Sequence, residues 1–220
     1  MKSSLDFLKA LKGNNDREWF NANKNLFQQS SEEFKSFTNL LIAGINEFDD
    51  SVGALDPKDC IFRIYRDVRF SHDKAPFKTN FGAYIAKGGR KSPYAGYYFH
   101  LDAEASFASG GIYMASTEVM KRIREDIDLY PEEFLAIVND KKFKETFQFF
   151  DEDKLKRVPL GFDKDSAVAE YLKFKHITPY HSLSPSDIAD KYLLKNTLAV
   201  YKSMKPLVDF LNRSIRGLNE

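Results

Sequence analysis

Asn80-Phe-Gly-Ala-Tyr-Ile-Ala86, Ala95-Gly-Tyr-Tyr-Phe-His-Leu-Asp102 and Ala105-Ser-Phe-Ala-Ser-Gly-Gly-Ile-Tyr-Met114 decide how the chain is read. Each is rich in aromatic or β-branched residues and runs with a period of two, the pattern of a strand. Residues 60–70 read the same way. Lys87-Gly-Gly-Arg-Lys-Ser-Pro93 supplies a glycine-rich turn between the first two quoted segments, and only Ala103-Glu104 separates the second from the third. Links this short join antiparallel neighbours, because a parallel crossover needs a dozen residues or more. Residues 60–114 are therefore expected to form one antiparallel sheet of about four strands.

Outward from this segment the period changes. Phe34, Phe37, Leu41, Ile45 and Phe48 recur at helical spacing, with shorter patterns before them. Ser4 precedes a helix carrying Leu5, Leu8 and Leu11, and Asp16 caps a second. Downstream, helices are expected from Ser116 or Thr117, from Pro131, around residues 166–173, and from Ser184-Pro-Ser-Asp187 toward Lys205. Pro206 is expected to restart that last helix. Helices, then strands, then helices, with no linker or repeat, predict a single α+β domain over residues 1–220. Its sheet has about four or five strands, packed by the N-terminal and C-terminal helices.

Composition excludes several functions. The chain has 33 Lys plus Arg against 32 Asp plus Glu, so no global field draws it to nucleic acid or membrane. The N-terminus lacks a signal-peptide apolar core, and no run approaches the length of a membrane span. Cys60 is the single cysteine, which suits a reducing, cytoplasmic location. No phosphate-binding P-loop and no nucleophile elbow is present. His72, His100, His176 and His181 are too scattered for a metal site, and no metal is expected; the cofactor is open. Oligomeric state is not legible.

One stretch departs from this neutrality. Between residues 63 and 91 stand eight Lys or Arg (63, 66, 69, 74, 78, 87, 90, 91) against two Asp (67, 73). On an ideal strand Arg63, Tyr65, Asp67 and Arg69 share one face, and Arg66 lies with Phe62, Ile64, Val68 and Phe70 on the other. A charge on that apolar face calls for a partner, so Arg66 is expected to be largely buried and paired. Three readings stand: a structural ion network through Asp67 and Asp73, an anion or phosphate site, and a nucleic-acid surface. As a site, the ligand-binding residues are Arg63, Arg66, Arg69, Lys74 and Lys78. Asp67, Asp73 and His72 are the catalytic candidates. At least two of Arg63, Arg69, Lys74 and Lys78 are expected in one concave pocket, with the loop 71–77 folding back on the segment before it. His100, alternating with Tyr98 and Asp102, reads first as a core or rim histidine of the strand, with a second wall of a polar cleft as the alternative.

Arg63-x-x-Arg66-Asp67-x-Arg69-Phe70-Ser71-x-Asp73-Lys74-x-Pro76-x-Lys78 resembles the hallmark of an uncharacterised bacterial and fungal family, domain of unknown function two-four-six-one. Asn14-Asn15-x-Arg17-Glu18-Trp19-Phe20, Ala95-Gly96-Tyr97-Tyr98, Gly110-Gly111 and Leu155-Lys-Arg-Val-Pro159-x-Gly161-Phe162 resemble its other signatures, so the resemblance spans nearly the whole chain. Two positions depart from it. Phe77 stands where the family usually has Tyr, and Asp165-Ser166-Ala167 where it often has His-Pro after an Asp. The resemblance implies the fold and the place of the site, and brings no activity with it. The function expected from the residues is binding of a small anionic or phosphate-bearing ligand, whether or not as an enzyme. A nucleic-acid or protein interaction module is the alternative, and no membrane partner is expected.

Overall fold

Alternation along the central segment produces three of the four strands seen in the computed structural model, which describes residues 1–150 and 154–216. They are β1 (Asn80–Ile85), β2 (Gly96–Asp102) and β3 (Ser106–Gly111), joined to β4 (Tyr180–Leu183) in an antiparallel sheet ordered β1-β2-β3-β4. The fourth strand is not residues 60–70. That segment instead forms one leg of an irregular arm and touches the sheet only through the Ile61–Ala83 bridge. Asp67 and Asp73 explain the loss of regular pairing. Their carboxylates accept from the backbone N–H of Arg69 (3.3 Å) and Ala75 (2.9 Å), and Pro76 has no N–H to offer a ladder.

The helices are α1 (Lys2–Gly13), α2 (Arg17–Ala22), α3 (Lys24–Asn46), α4 (Pro57–Cys60), α5 (Thr117–Leu129), α6 (Pro131–Val138), α7 (Lys141–Thr146), α8 (Ala169–Leu172), α9 (Pro185–Ala189) and α10 (Leu193–Arg216). Several starts follow the caps. Asp16 accepts from Trp19 N–H at 2.8 Å, Ser116 accepts from Val119 N–H, and Pro131 opens α6 with Glu132 and Glu133 behind it. Ser4 is not a cap. It lies inside α1, and its hydroxyl turns sideways to donate to Glu33 of α3 at 2.6 Å.

The C-terminal helix differs from expectation twice. Ser184 and Asp187 form a capping box, but the helix they start ends at Ala189. Asp190 then takes Tyr192 N–H on its carboxylate (2.9 Å), and a new helix begins at Leu193. Conversely, α10 passes through Pro206 without a restart. A proline in a helix interior costs about 3 kcal/mol. Here Tyr201, Met204, Leu207, Val208, Phe210, Leu211 and Ile215 form one buried stripe on both sides of it, and burial of each such side chain returns about 1.5–3 kcal/mol.

Strand alternation gives the sheet two unlike faces. Phe81, Ala83, Ile85, Tyr97, Phe99, Leu101 and Ala108 are all buried, on the face met by α1, α3 and α10. Gly110 is where α10 comes closest. A Cβ there would lie 2.3 Å from the Met204 sulfur, so the glycine makes room for the helix. The opposite face carries both cross-strand rows, Gly82–His100–Phe107 and Tyr84–Tyr98–Ser109. No helix among the described residues is long and apolar enough to cross a membrane.

Candidate functional site

That second face is the floor of a cleft of about 900 Å³. Tyr98, His100, Phe107 and Ser109 line the floor. Lys78 and Phe62 stand at one side, Arg90 and Lys91 of the β1–β2 link at another, and Tyr113, Met114, Phe150 and His176 close the rest. None of the described lining residues is acidic, and neither Lys78 nor Lys91 has a carboxylate within ion-pair reach among the described residues.

The arm from Ile61 to Thr79 places Lys78 there. It folds back as expected, with Tyr65 bridged to Phe77, Lys78 N–H donating to Ile64 C=O at 2.7 Å and Arg66 N–H to Pro76 C=O at 3.0 Å. Asn15 holds the returning leg. Its amide donates to Phe77 C=O (2.9 Å) and accepts from Phe77 N–H (3.1 Å), as a neighbouring strand would. Phe20 stacks on the Phe77 ring at 3.9 Å. The Asn15 and Phe20 signature near the N-terminus is thus the clamp for the arginine run. It explains why Phe77 is buried and why the residue after it faces the cleft.

The remaining arm cations sit elsewhere. Of Arg63, Arg66, Arg69, Lys74 and Lys78, only Lys78 lines this cleft. Asp67 holds Arg69 through two contacts, to Nε at 2.9 Å and to Nη2 at 2.6 Å, and Lys74 donates to Val68 C=O at 3.1 Å. Arg66 has the carboxylate partner expected of it, Asp73, but keeps 27% of its side chain exposed and is not largely buried. The regular strand that would have buried it does not form, and Phe70 beside it is 96% exposed. Hydrogen bonds from Arg69 lower the pKa of Asp67, and those from Ala75 N–H and Arg66 lower that of Asp73. Both carboxylates are committed to ion pairs, His72 is exposed, and none of the three lines the cleft.

Burial perturbs the titratable groups of the floor, His100 among them. Burial pushes its pKa down to about 4, with Asp102 opposing and Lys78 assisting, so the imidazole is neutral near pH 7. Its Nδ1 lies 2.9 Å from the Tyr98 hydroxyl, and its ring stacks on Phe107 at 4.5 Å with 11° between planes. Burial raises the Tyr98 pKa, so the phenol keeps its proton, and we assign it as the donor to Nδ1. The imidazole proton then sits on Nε2, which has no hydrogen-bond partner among the described residues. Lys78 has its pKa lowered by burial and by Arg63, and packs over the Phe62 ring at 5.6 Å.

Gly82 makes room for this pair. A Cβ on it would lie 2.5 Å from the Tyr98 hydroxyl. Since the clash is with the far end of a side chain, Gly82→Ala is expected to cost only about 1 kcal/mol while displacing that hydroxyl from His100. A melt and the His100 ¹⁵N shifts would check this. An unchanged Nδ1 signal in a folded variant would show that Tyr98 does not set the tautomer.

Ser92, Pro93 and the Arg90–Lys91 pair reach the cleft because Lys87-Gly-Gly-Arg-Lys-Ser-Pro93 turns tightly, with Gly88 and Gly89 at positive φ. The sequence showed the charge of this link, but its nearness to Lys78 is a product of β1 and β2 pairing. His176 enters from the far side, accepting at Nδ1 from Met114 N–H at 3.0 Å, and nothing local in the sequence announces it. Among the described residues no group of three or more His, Cys, Asp or Glu could hold a metal ion.

The model of a family of conserved hypothetical proteins, DUF2461, matches residues 3–210. The chain belongs to that family. No curated protein and no solved structure is significantly similar to it. The arginine run and the N-terminal segment with Asn15 and Phe20 are here one structural unit, the clamped arm that delivers Lys78.

Proposed function

We propose that this family member binds a small anionic or phosphate-bearing ligand in the cleft over the open sheet face, with Lys78, Arg90 and Lys91 as its positive rim. The observation that carries this reading is the contrast between two groups of cations. Arg66 and Arg69 are neutralised within the arm by Asp73 and Asp67, whereas Lys78 and Lys91 face a concavity whose described lining has no acid. Cations gathered without counter-charge repel one another and favour an anion between them. The cleft's size falls within the roughly 300–1,000 Å³ of small-molecule sites. The arginine cluster of the arm then acts as scaffold, and only its last cation meets the ligand. A cytoplasmic setting accords with a single, buried Cys60.

Calorimetric titration of phenyl phosphate tests the assignment. Lys78→Met is expected to weaken binding about tenfold, or ~1.4 kcal/mol, and Arg69→Ala to leave it within about twofold. The reverse pattern would move the site to the arm. Salt separates this reading from the interaction module. A single bound phosphate loses little affinity between about 50 and 200 mM salt, whereas an oligonucleotide held by many phosphates loses about a thousandfold or more. Tight oligonucleotide binding with that steep slope, and no binding of phenyl phosphate, would favour the module.

A further inference from the structure

The cleft floor has a chemistry beyond its charge. From the Lys78 corner to β4 its aromatic rings form a continuous band. Phe62 meets Tyr98 edge-on at 6.3 Å, Tyr98 meets Phe107 at 5.8 Å, and Phe107 meets Phe150 edge-on at 5.8 Å and Tyr180 at 6.0 Å. Several of these rings are left in water. Phe62 is 37% exposed, Phe150 42%, and Tyr113 across the mouth 64%. Exposed rings also occur singly elsewhere, at Tyr65, Phe70, Tyr130 and Tyr192, but Phe62, Phe150 and Tyr113 stand round one concavity. Rings gathered at the mouth of a concavity and left wet gain free energy when a flat apolar body covers them.

In the middle of this band lies one polar atom with no protein partner among the described residues, His100 Nε2. Two contacts hold its ring, the Tyr98 hydrogen bond at 2.9 Å and the Phe107 stack at 4.5 Å, and Gly82 leaves the clearance the phenol needs. A fixed donor set in an aromatic wall selects for an acceptor at one place on the ligand, because a ligand without it would leave that N–H unbonded. Lys78 supplies charge close by, its ammonium lying over Phe62 at the end of the same band.

Resting on the anion-binding reading above, we infer that the ligand is an anion carried on a flat aromatic or heteroaromatic body. Its ring lies along the Phe62–Tyr98–Phe107–Phe150 band, its charge meets the Lys78, Arg90 and Lys91 rim, and an oxygen or ring nitrogen between the two accepts from His100 Nε2–H. His100 is thereby a ligand-contacting residue, and Tyr98 is a positioning residue that sets its tautomer. An aliphatic anion of equal volume satisfies the rim and fills the space, but it is not flat and offers no π face to the band.

Phenyl phosphate and cyclohexyl phosphate carry the same charge and nearly the same volume, so their comparison isolates the ring. The full chain, labelled with ¹⁵N-histidine, is titrated with each, and with inorganic phosphate as the bare anion. The expected result is phenyl phosphate binding at least about tenfold tighter than cyclohexyl phosphate, with the His100 Nε2–H signal shifting at saturation. Lys78→Met should weaken all three probes, whereas Tyr98→Phe should leave inorganic phosphate unaffected and split His100 between two tautomers. Equal affinity for the two esters, or an unmoved His100 signal at saturation with phenyl phosphate, overturns this inference while leaving anion binding in place. If none of the three probes binds the wild-type chain, both readings fall together.

Discussion

Replacing Gly111 with alanine is expected to lower the unfolding free energy by about 3 kcal/mol or more, the largest loss from any single methyl group added to the sheet. Gly111 ends β3 with φ +102°, a conformation an L side chain adopts only under strain. A Cβ there would lie 2.0 Å from the Ile177 carbonyl oxygen. That oxygen cannot retreat cheaply, because it accepts from Ile112 N–H at 2.9 Å, and the return bond runs from Ile177 N–H to Ile112 C=O at 3.1 Å. The Gly111 carbonyl also accepts from the Tyr84 hydroxyl at 2.9 Å, so the distortion spreads to the cleft floor. Urea unfolding of Gly111→Ala beside Gly13→Ala measures this. Gly13 has open space around its Cβ position and an ordinary φ, so its variant should be close to neutral. Equal midpoints for the two variants would mean that the segments 111–112 and 177 are not held together as described.

The second large effect is a pH dependence with its origin in His100. Its pKa falls from 6.5 to about 4 on folding, chiefly through burial. A depressed histidine pKa means that the unfolded chain binds a proton below pH 6.5 that the folded chain refuses until about pH 4. Stability must therefore fall as the pH is lowered through this window and level off beneath it. The slope approaches ~1.4 kcal/mol per pH unit and the whole loss is about 3 kcal/mol. Glu33 acts lower. Burial alone would raise its pKa, but hydrogen bonds from the Ser4 hydroxyl and N–H outweigh it and hold the carboxyl at about 2, against an ordinary 4.5. Its contribution is present above pH 4.5 and is lost only as the pH falls on toward 2, so the two groups titrate in successive windows. His100→Gln removes the first window alone. Denaturant midpoints from about pH 7 to about pH 4.5 should converge for wild type and variant as the pH falls. Parallel curves would show that His100 is not kept neutral by the fold.

Both effects depend on contacts the sequence states only in part. The alternation of residues 80–86, 95–102 and 105–114 was sufficient for three strands and their antiparallel pairing, since each preference is local and the links are too short for a crossover. It was insufficient for 60–70. There the same alternation of Ile, Phe and Val is overridden by Asp67 and Asp73, whose carboxylates bond the nearby backbone, and by Pro76, which has no N–H for a ladder. The missing edge of the sheet came from Tyr180–Leu183, a four-residue strand directly after Pro179 and too short to carry a period of its own. Pro206 shows the opposite case. Its local preference to stop a helix yields to a buried stripe that continues past it.

The site divides in the same way. What the sequence by itself determined was the fold class, the family, the concentration of positive charge in residues 63–91, and the return of the 71–77 loop, because composition, period and turn chemistry act over a few neighbours. Which cations are neutralised and which are free was settled only in three dimensions. Asp67 lies two residues from Arg69 and captures it, while Lys78 is carried away by Asn15 and Phe20, more than fifty residues earlier in the chain. Likewise His100 looks in the sequence like one more strand residue. It becomes the centre of the floor because cross-strand pairing sets it between Gly82 and Phe107, and burial on that face removes the water that would otherwise keep its pKa ordinary.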